Sequence, residues 1–354
     1  MAWNVTAISP SANRNPNMWS FFRPLFFKFN PETAHQLTLQ LIRLGAYQPL
    51  NLLLRAMYTA PGKPVDAFGL HFPNPVGLAA GYDKDGLAWR GLATLGFGHI
   101  EVGTVTPYPQ PGNPKPRLFR LVEDRAVINR MGFPGLGAET VARRLRRHHN
   151  RQVIVGVNLG KNKDTPLEHA ARDYITLMRQ FTPLADYLAI NVSSPNTAGL
   201  RHLQGGEMLE GLLEAVSKER ENIAAGGGGH TPILVKLAPD LSDEELDEAL
   251  EVIVRTGMDG VIVTNTTLGR AGLRSKQKAE TGGLSGEPLR ARSEAVLTSV
   301  VKKLESRLPV VSVGGIMSPE DARRRLDIGA ALVQVYTGLI YAGPGLVKQI
   351  IRGL

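Results

Sequence analysis

The sequence predicts an α/β fold: a (β/α)8 barrel preceded by a small N-terminal helical segment. Three observations predict it. Eight short apolar runs recur along the chain, each followed by a helix-like segment, as in a parallel barrel. Amide, hydroxyl or ammonium groups stand at the end of nearly every run. The stretch before the first run differs in kind, being aromatic and basic.

Residues 1–17 are polar and lack a cationic stretch followed by an apolar core, so they read as a disordered tail and not as a signal peptide. From Met18 the aromatics crowd together in Met18-Trp19-Ser20-Phe21-Phe22-Arg23-Pro24-Leu25-Phe26-Phe27. Asn30-Pro31-Glu32 is a helix start, with an N-cap, a first-turn proline and an early acidic residue. The helix it opens carries Ala34, Leu37, Leu41 and Leu44 on one stripe, widened by Leu39 and Ile42. A second helix, from about Gln48 to Tyr58, shows Leu50, Leu53, Leu54 and Met57. With Arg23, Lys28, Arg43 and Arg55 alongside, two readings stand: a surface lying in a membrane interface, or a helical hairpin docked on its own domain. Thr59–Pro64 is a proline-rich linker, so the expected division is 1–17, 18–62 and 63–354.

Val65–Pro75 reads as a hairpin capping the bottom of the barrel. The runs follow at Val76–Ala80, Ile100–Val105, Val153–Leu159, Tyr187–Val192, Ile233–Leu237, Gly260–Thr264, Val310–Val313 and Ala331–Val335. Helices are expected over Gly86–Leu95, Gly135–His148, Pro166–Phe181, Glu207–Asn222, Asp243–Thr256, Leu289–Leu308, Pro319–Ile328 and Pro344–Ile351. A doubly wound open sheet is the alternative, and it leaves the eighth unit without a use.

Composition narrows the chemistry. A chain of 354 residues holds one large domain and an appendage, since such barrels run to about 250 residues. The absence of cysteine excludes disulfides, thiolate metal sites and a cysteine nucleophile or base. No HExxH pair is present, and no metal site is indicated. The net charge of +9 favours an acidic substrate, a phosphate cofactor or an anionic membrane surface without choosing among them. No apolar run reaches the roughly 18 residues of a membrane span.

Catalytic groups of such barrels sit just beyond the carboxyl ends of the strands. Those positions carry Ala80-Gly81-Tyr82-Asp83-Lys84, Thr104, Asn158, Asn191-Val192-Ser193-Ser194-Pro195-Asn196-Thr197, Lys236, Thr264-Asn265-Thr266, Gly314-Gly315 and Tyr336-Thr337-Gly338. So many hydrogen-bonding groups point to a large polar ligand. Glycines after the seventh and eighth runs suit a phosphate. With neither GxGxxG nor a complete P-loop, that phosphate belongs to a mononucleotide-like cofactor. Lys84 and Lys236 must each meet an anion or an electron-rich ring. Stabilising a reduced flavin is one use, and a Schiff base is the competing one.

Asn129-Arg130-Met131-Gly132-Phe133 lies in a long loop after the second run, and loops of that length are usually functional. Ser194 is open to three readings: acyl-transfer nucleophile, proton acceptor or turn former. No GxSxG elbow supports the first. As a base it needs a relay, through Thr197 or water. Gly199, Gly205 and Gly206 beyond it suggest a lid. The basic run Arg143, Arg144, Arg146, Arg147, His148 and His149 suits the solvated end of a helix better than nucleic acid.

Taken together, GLAAGYDKDG, EVGTVTPYPQPGNPKPRLFRL, NRMGFPG, GVNLGKNKDT, NVSSPNT, VKLAPD, TNTT, ETGGLSGEPL, VGGI and QVYTG closely resemble dihydroorotate dehydrogenase. The likeness runs in order from about Val65 onward. The helical segment, and serine where the soluble classes have cysteine, resemble the quinone-dependent, membrane-associated class. The resemblance implies an FMN-binding TIM barrel that oxidises (S)-dihydroorotate to orotate in pyrimidine biosynthesis and passes the electrons to a membrane quinone. It implies Ser194 as the catalytic base. Positions matching FMN contacts are Ala80, Gly81, Tyr82, Asp83, Lys84, Thr104, Asn158, Asn191, Lys236, Thr264, Gly286, Gly315, Tyr336 and Thr337. Positions matching substrate contacts are Lys84, Asn129, Arg130, Met131, Gly132, Phe133, Asn191, Asn196, Asn265 and Thr266. It also implies that residues 18–62 form the quinone entrance on an anionic membrane. A monomer, peripheral on the cytoplasmic face of the cell membrane and without nucleic acid, is expected.

Overall fold

A computed structural model describes residues 18–146 and 153–354. Thirteen strands follow in chain order: β1 (Val65–Ala67), β2 (Leu70–Phe72), β3 (Val76–Leu78), β4 (His99–Val105), β5 (Leu118–Leu121), β6 (Ala126–Asn129), β7 (Ile154–Leu159), β8 (Tyr187–Asn191), β9 (Ile233–Leu237), β10 (Gly260–Val263), β11 (Gly283–Gly286), β12 (Val310–Val313) and β13 (Leu332–Val335). Eight close into a parallel barrel in the order β3-β4-β7-β8-β9-β10-β12-β13. Seven of the eight expected runs contain one of them, and the other, Ile100–Val105, falls one residue short of β4, which begins at His99. The short fully buried strands, such as HIEVGTV in β4, face helices outside and packed side chains within, which is why they have no solvent-exposed face.

The barrel interior is filled unevenly, and glycine makes the room. A Cβ on Gly77 would lie 2.0 Å from His99 Nε2, and one on Gly156 would lie 2.1 Å from the Tyr187 ring. Small residues on β3 and β7 thus admit large polar ones from β4 and β8. The β1–β2 hairpin closes the bottom as expected. It turns at Phe68-Gly69, both at positive φ (55° and 74°), and seats Phe72, wholly buried, below the strands. Burying such a ring stabilises by about 1.5–3 kcal/mol.

Outer helices occupy the expected intervals, with shifted ends. The segment expected over Gly86–Leu95 is helical only from Trp89 to Ala93, because Gly86 takes φ 63° and Asp83 caps the amides of Leu87 and Ala88. The last unit has two helices, Thr337–Ala342 and Leu346–Gly353. Arg143, Arg144 and Arg146 do end a helix, Gly137–Arg146, while Arg147, His148 and His149 lie outside the described residues, as does the tail 1–17.

A three-stranded antiparallel sheet, β5-β6-β11, was not foreseen. Residues 118–129 read as loop because their strands are four residues long and the third strand lies far along the chain. The register pairs Asn129 with Gly283.

Three helices precede the barrel: α1 (Met18–Lys28), α2 (Pro31–Leu44) and α3 (Leu50–Tyr58). Asn30 caps α2, accepting from Glu32 N at 3.0 Å. One face docks on the barrel. Glu32 holds Arg117 through two hydrogen bonds of 2.7 and 3.3 Å, Trp19 Nε1 donates to the Ile340 carbonyl, and α2 packs so closely on Gly91 that a Cβ there would lie 1.8 Å from Ile42 O. The other face is bare: Phe21, Phe22, Leu25, Leu52 and Leu53 are each at least half exposed. Among the described residues no helix is long and apolar enough to cross a membrane.

Candidate active site

The carboxyl ends of the barrel strands open into one cleft. Lining it are Ala80, Gly81, Lys84, Thr104, Asn129, Met131, Gly132, Phe133, Asn191, Ser194, Asn196, Lys236, Thr264, Asn265, Thr266, Gly286, Gly315, Tyr336 and Thr337. Four candidates from the sequence point elsewhere. The Tyr82 side chain faces a second cavity, and the Asp83 carboxylate caps backbone amides. Arg130 turns outward to an ion pair with Glu280 at 2.7 Å and stacks on Phe119. Asn158 stands behind the wall, under Thr104 and Asn191.

The register sets Asn191 beside Lys236 on adjacent strands. Asn191 is held on every side. Its Nδ2 donates to Thr104 Oγ1 at 2.9 Å and to Asn158 Oδ1 at 3.0 Å. Its Oδ1 accepts from Ser193 Oγ at 3.1 Å and Asn265 Nδ2 at 3.3 Å, and the buried Tyr174 hydroxyl grips its carbonyl. Asn196 Nδ2 donates to Asn129 Oδ1 at 3.1 Å, tying the Ser194 loop to the end of β6. Phe133 sits at φ 52°, an uncommon conformation for a bulky residue, with its carbonyl pinned by Gln110 at 3.0 Å.

Both lysines enter the cleft. Lys84 has one hydrogen bond, to the Gly81 carbonyl at 2.7 Å, and desolvation lowers its pKa to about 8. Lys236 is buried and likewise pushed down by desolvation, an effect opposed by the charge of Glu101, whose Oε1 lies 3.9 Å away. Glu101 was missed in the sequence, although an acid inside the apolar run IEVGTV was a signal. Ser194 Oγ accepts from Asn196 N at 3.3 Å. Nearby, the buried Thr197 Oγ1 has no partner among the described residues.

Glycines shape the end beyond β11 and β12. Gly286, Gly314 and Gly315 take φ 100°, 114° and 72°, and a Cβ on Gly315 would lie 2.3 Å from Arg290 Cα. Only glycine brings the backbone so close, leaving its N–H groups free for an anion. Ser285, also unforeseen, adds a hydroxyl 2.8 Å from that of Thr337.

The second cavity, about 1490 Å³, lies between the N-terminal helices and the barrel. Its lining is mostly apolar, from Trp19, Phe26, Ala34, Leu41, Ile42, Leu54 and Leu339, with His35, Tyr58 and Arg120 as polar groups. Arg120 stacks on Phe27, 4.6 Å from the ring centre, and burial pushes His35 down to about 3, so it is neutral. Tyr336 lines both cavities and meets Tyr82 edge to face.

Residues 64–354 match the family model for dihydroorotate dehydrogenase. The chain belongs to the dihydroorotate dehydrogenase family. Dihydroorotate dehydrogenase (quinone) of Azotobacter vinelandii is 48% identical over 338 residues, 95% of this chain and 96% of the relative. That of Idiomarina loihiensis is 47% identical over 337 residues, 95% of this chain and all of the relative. The crystal structure of the Eimeria tenella dihydroorotate dehydrogenase in complex with ferulenol superposes with a TM-score of 0.85 at 40% identity, covering 94% of this chain and 93% of that one. Members of this family are flavin-dependent in general.

Proposed function

We propose that this chain oxidises (S)-dihydroorotate to orotate in pyrimidine synthesis, with FMN in the barrel cleft and a membrane quinone in the second cavity. The observation that carries the reading is the sharing of Tyr336 by the polar cleft and the apolar cavity. A substrate oxidised on one side and an apolar acceptor reduced on the other need a single wall between them.

The donor set fits FMN. The glycines at 286, 314 and 315 admit a phosphate, Lys236 lies where a planar anionic ring is stabilised, and Thr104 and Asn191 offer hydrogen bonds at its edge. FMN, when bound, accepts hydride from the substrate and returns the electrons to the quinone.

The chain supplies everything else. Lys84, Asn129, Asn196 and Asn265 converge on the space above Asn191, where an ammonium and three amides suit a pyrimidine carboxylate. Ser194 Oγ accepts the proton from the ring carbon next to the carbonyl-bearing carbon. Serine is a weak base, so its own proton must pass on as it takes the new one. Thr197 Oγ1, buried nearby without a partner, is the group we assign to that relay. The loop from Ser193 closes the cleft against water, held by Arg201, which reaches the Ser193 carbonyl at 3.1 Å, Asp240 at 2.7 Å and the Thr266 carbonyl at 2.8 Å.

The bare face of α1–α3 lies in the cytoplasmic leaflet of the cell membrane, with Arg23, Lys28, Arg43 and Arg55 adding about 1 kcal/mol each near anionic lipid. The enzyme works as a monomer. Orotate formation and quinone reduction by the purified protein in anionic vesicles test the reading. Equal molar amounts are expected, and orotate formed without quinone consumption would overturn it.

A further inference from the structure

Beneath the cleft stands an acidic side chain for which the mechanism above has no use. Glu101, in the middle of β4, is fully buried. Its Oε1 accepts from Asn158 Nδ2 at 2.8 Å, and its Oε2 accepts from Tyr187 Oη at 3.1 Å and Gln334 Nε2 at 2.9 Å. The Lys236 ammonium completes the shell at 3.9 Å. Three donors and a cation thus surround the carboxylate, whose two oxygens accept from all three donors. The Tyr187 phenol, pushed well above its ordinary value by burial and then by Glu101, donates and does not compete.

Two consequences reach the cleft. The first is charge: burial disfavours the Lys236 ammonium, and Glu101 opposes that loss. The second is orientation. Because Glu101 takes the amide nitrogen of Asn158, Asn158 must present oxygen to Thr104 and Asn191. Asn191 must then donate with Nδ2 and turn Oδ1 to Ser193 and Asn265. Each amide has one donor end and one acceptor end, so the first in the row settles those that follow.

We infer that Glu101 is a positioning residue that keeps Lys236 charged beneath the cofactor and decides how the amides of Asn158, Asn191 and Asn265 are turned. The inference rests on FMN occupying the cleft. Glu101 is the titratable group whose charge bears on Lys236; Tyr187 bonds Glu101 and His99 approaches Gln334 in the barrel interior, and Lys84 lines the same cleft. Burial holds His99 down at about 3, so it stays neutral. Lys84 does titrate near neutrality and must be controlled.

The test is the midpoint potential of the bound flavin in the holoenzyme, measured by reductive titration across neutral and mildly alkaline pH. Glu101→Gln is expected to add a break to the potential–pH curve as Lys236 loses its proton. The break persists in a Lys84→Gln background and vanishes with Lys236→Gln. If Glu101→Gln does not fold with flavin, Glu101→Asp keeps the charge but draws it back, and the break then enters from the alkaline side. A curve parallel to the native one in either variant overturns the proposal. Native protein that binds no FMN overturns the functional reading instead, and this proposal with it.

Discussion

The two cavities are built on opposite principles. In the barrel cleft the polar side chains are held by one another or by the backbone, as when Asn191 makes four hydrogen bonds with other side chains within 3.3 Å. The cavity under α1–α3 is larger, apolar and walled largely by side chains whose neighbours on the same helices are exposed. Chemistry that moves a proton and a hydride needs groups fixed in advance. Admitting a long apolar molecule from a membrane needs only a greasy, deformable passage. The difference teaches that this enzyme separates precision from access and joins them at one residue, Tyr336.

That contrast can be broken from either side. The largest effect is expected from deleting residues 18–62: quinone reduction in membranes should be abolished while the barrel keeps its FMN and is still reduced by dihydroorotate. A spectrum of the truncated protein beside a vesicle assay checks it. Next comes Ser194→Ala, which should retain FMN and lose about 10²–10⁴-fold in dihydroorotate oxidation, measured by single-turnover flavin reduction. Near-normal turnover at neutral pH would remove Ser194 from its role.

A smaller effect follows from Lys84, whose pKa burial lowers to about 8. Below that value the lysine is charged and holds the substrate carboxylate. Above it the charge is lost, so the KM for dihydroorotate should rise with pH while Lys84→Gln gives a high, flat KM. The sign for stability is the reverse. A lysine depressed in the folded state is held charged at a cost below about pH 8, and that cost fades as pH rises toward its ordinary value. The smallest effect concerns the loop with Gly199 at φ 68°: orotate should slow proteolytic cutting between Ser193 and Gly206, and equal cutting with and without it would argue against a lid.

How far the sequence carried depended on how local each signal was. The barrel strands were legible because each is a contiguous apolar run, and the cleft was legible because its groups lie immediately beyond those runs. The sheet of β5, β6 and β11 was not, since the pairing of Asn129 with Gly283 joins segments that give no sign of one another. The outward turn of Arg130 depends on Glu280 and Phe119, which are equally remote in sequence. Glu101 was visible as an acid among aliphatics, yet its meaning required Lys236, Asn158, Tyr187 and Gln334 from four other strands. The N-terminal helices are docked on one face, as the hairpin reading expects, and bare on the other.

Two anaerobic half-reactions of one purified protein test the division of labour between the cavities most directly. Dihydroorotate should bleach the flavin band of the native enzyme with release of orotate, and a quinone added afterwards should restore the band at a rate that residues 18–62 control and Ser194→Ala leaves unchanged. A colourless protein, or a bleached flavin that quinone reoxidises as well without the N-terminal helices as with them, would contradict it.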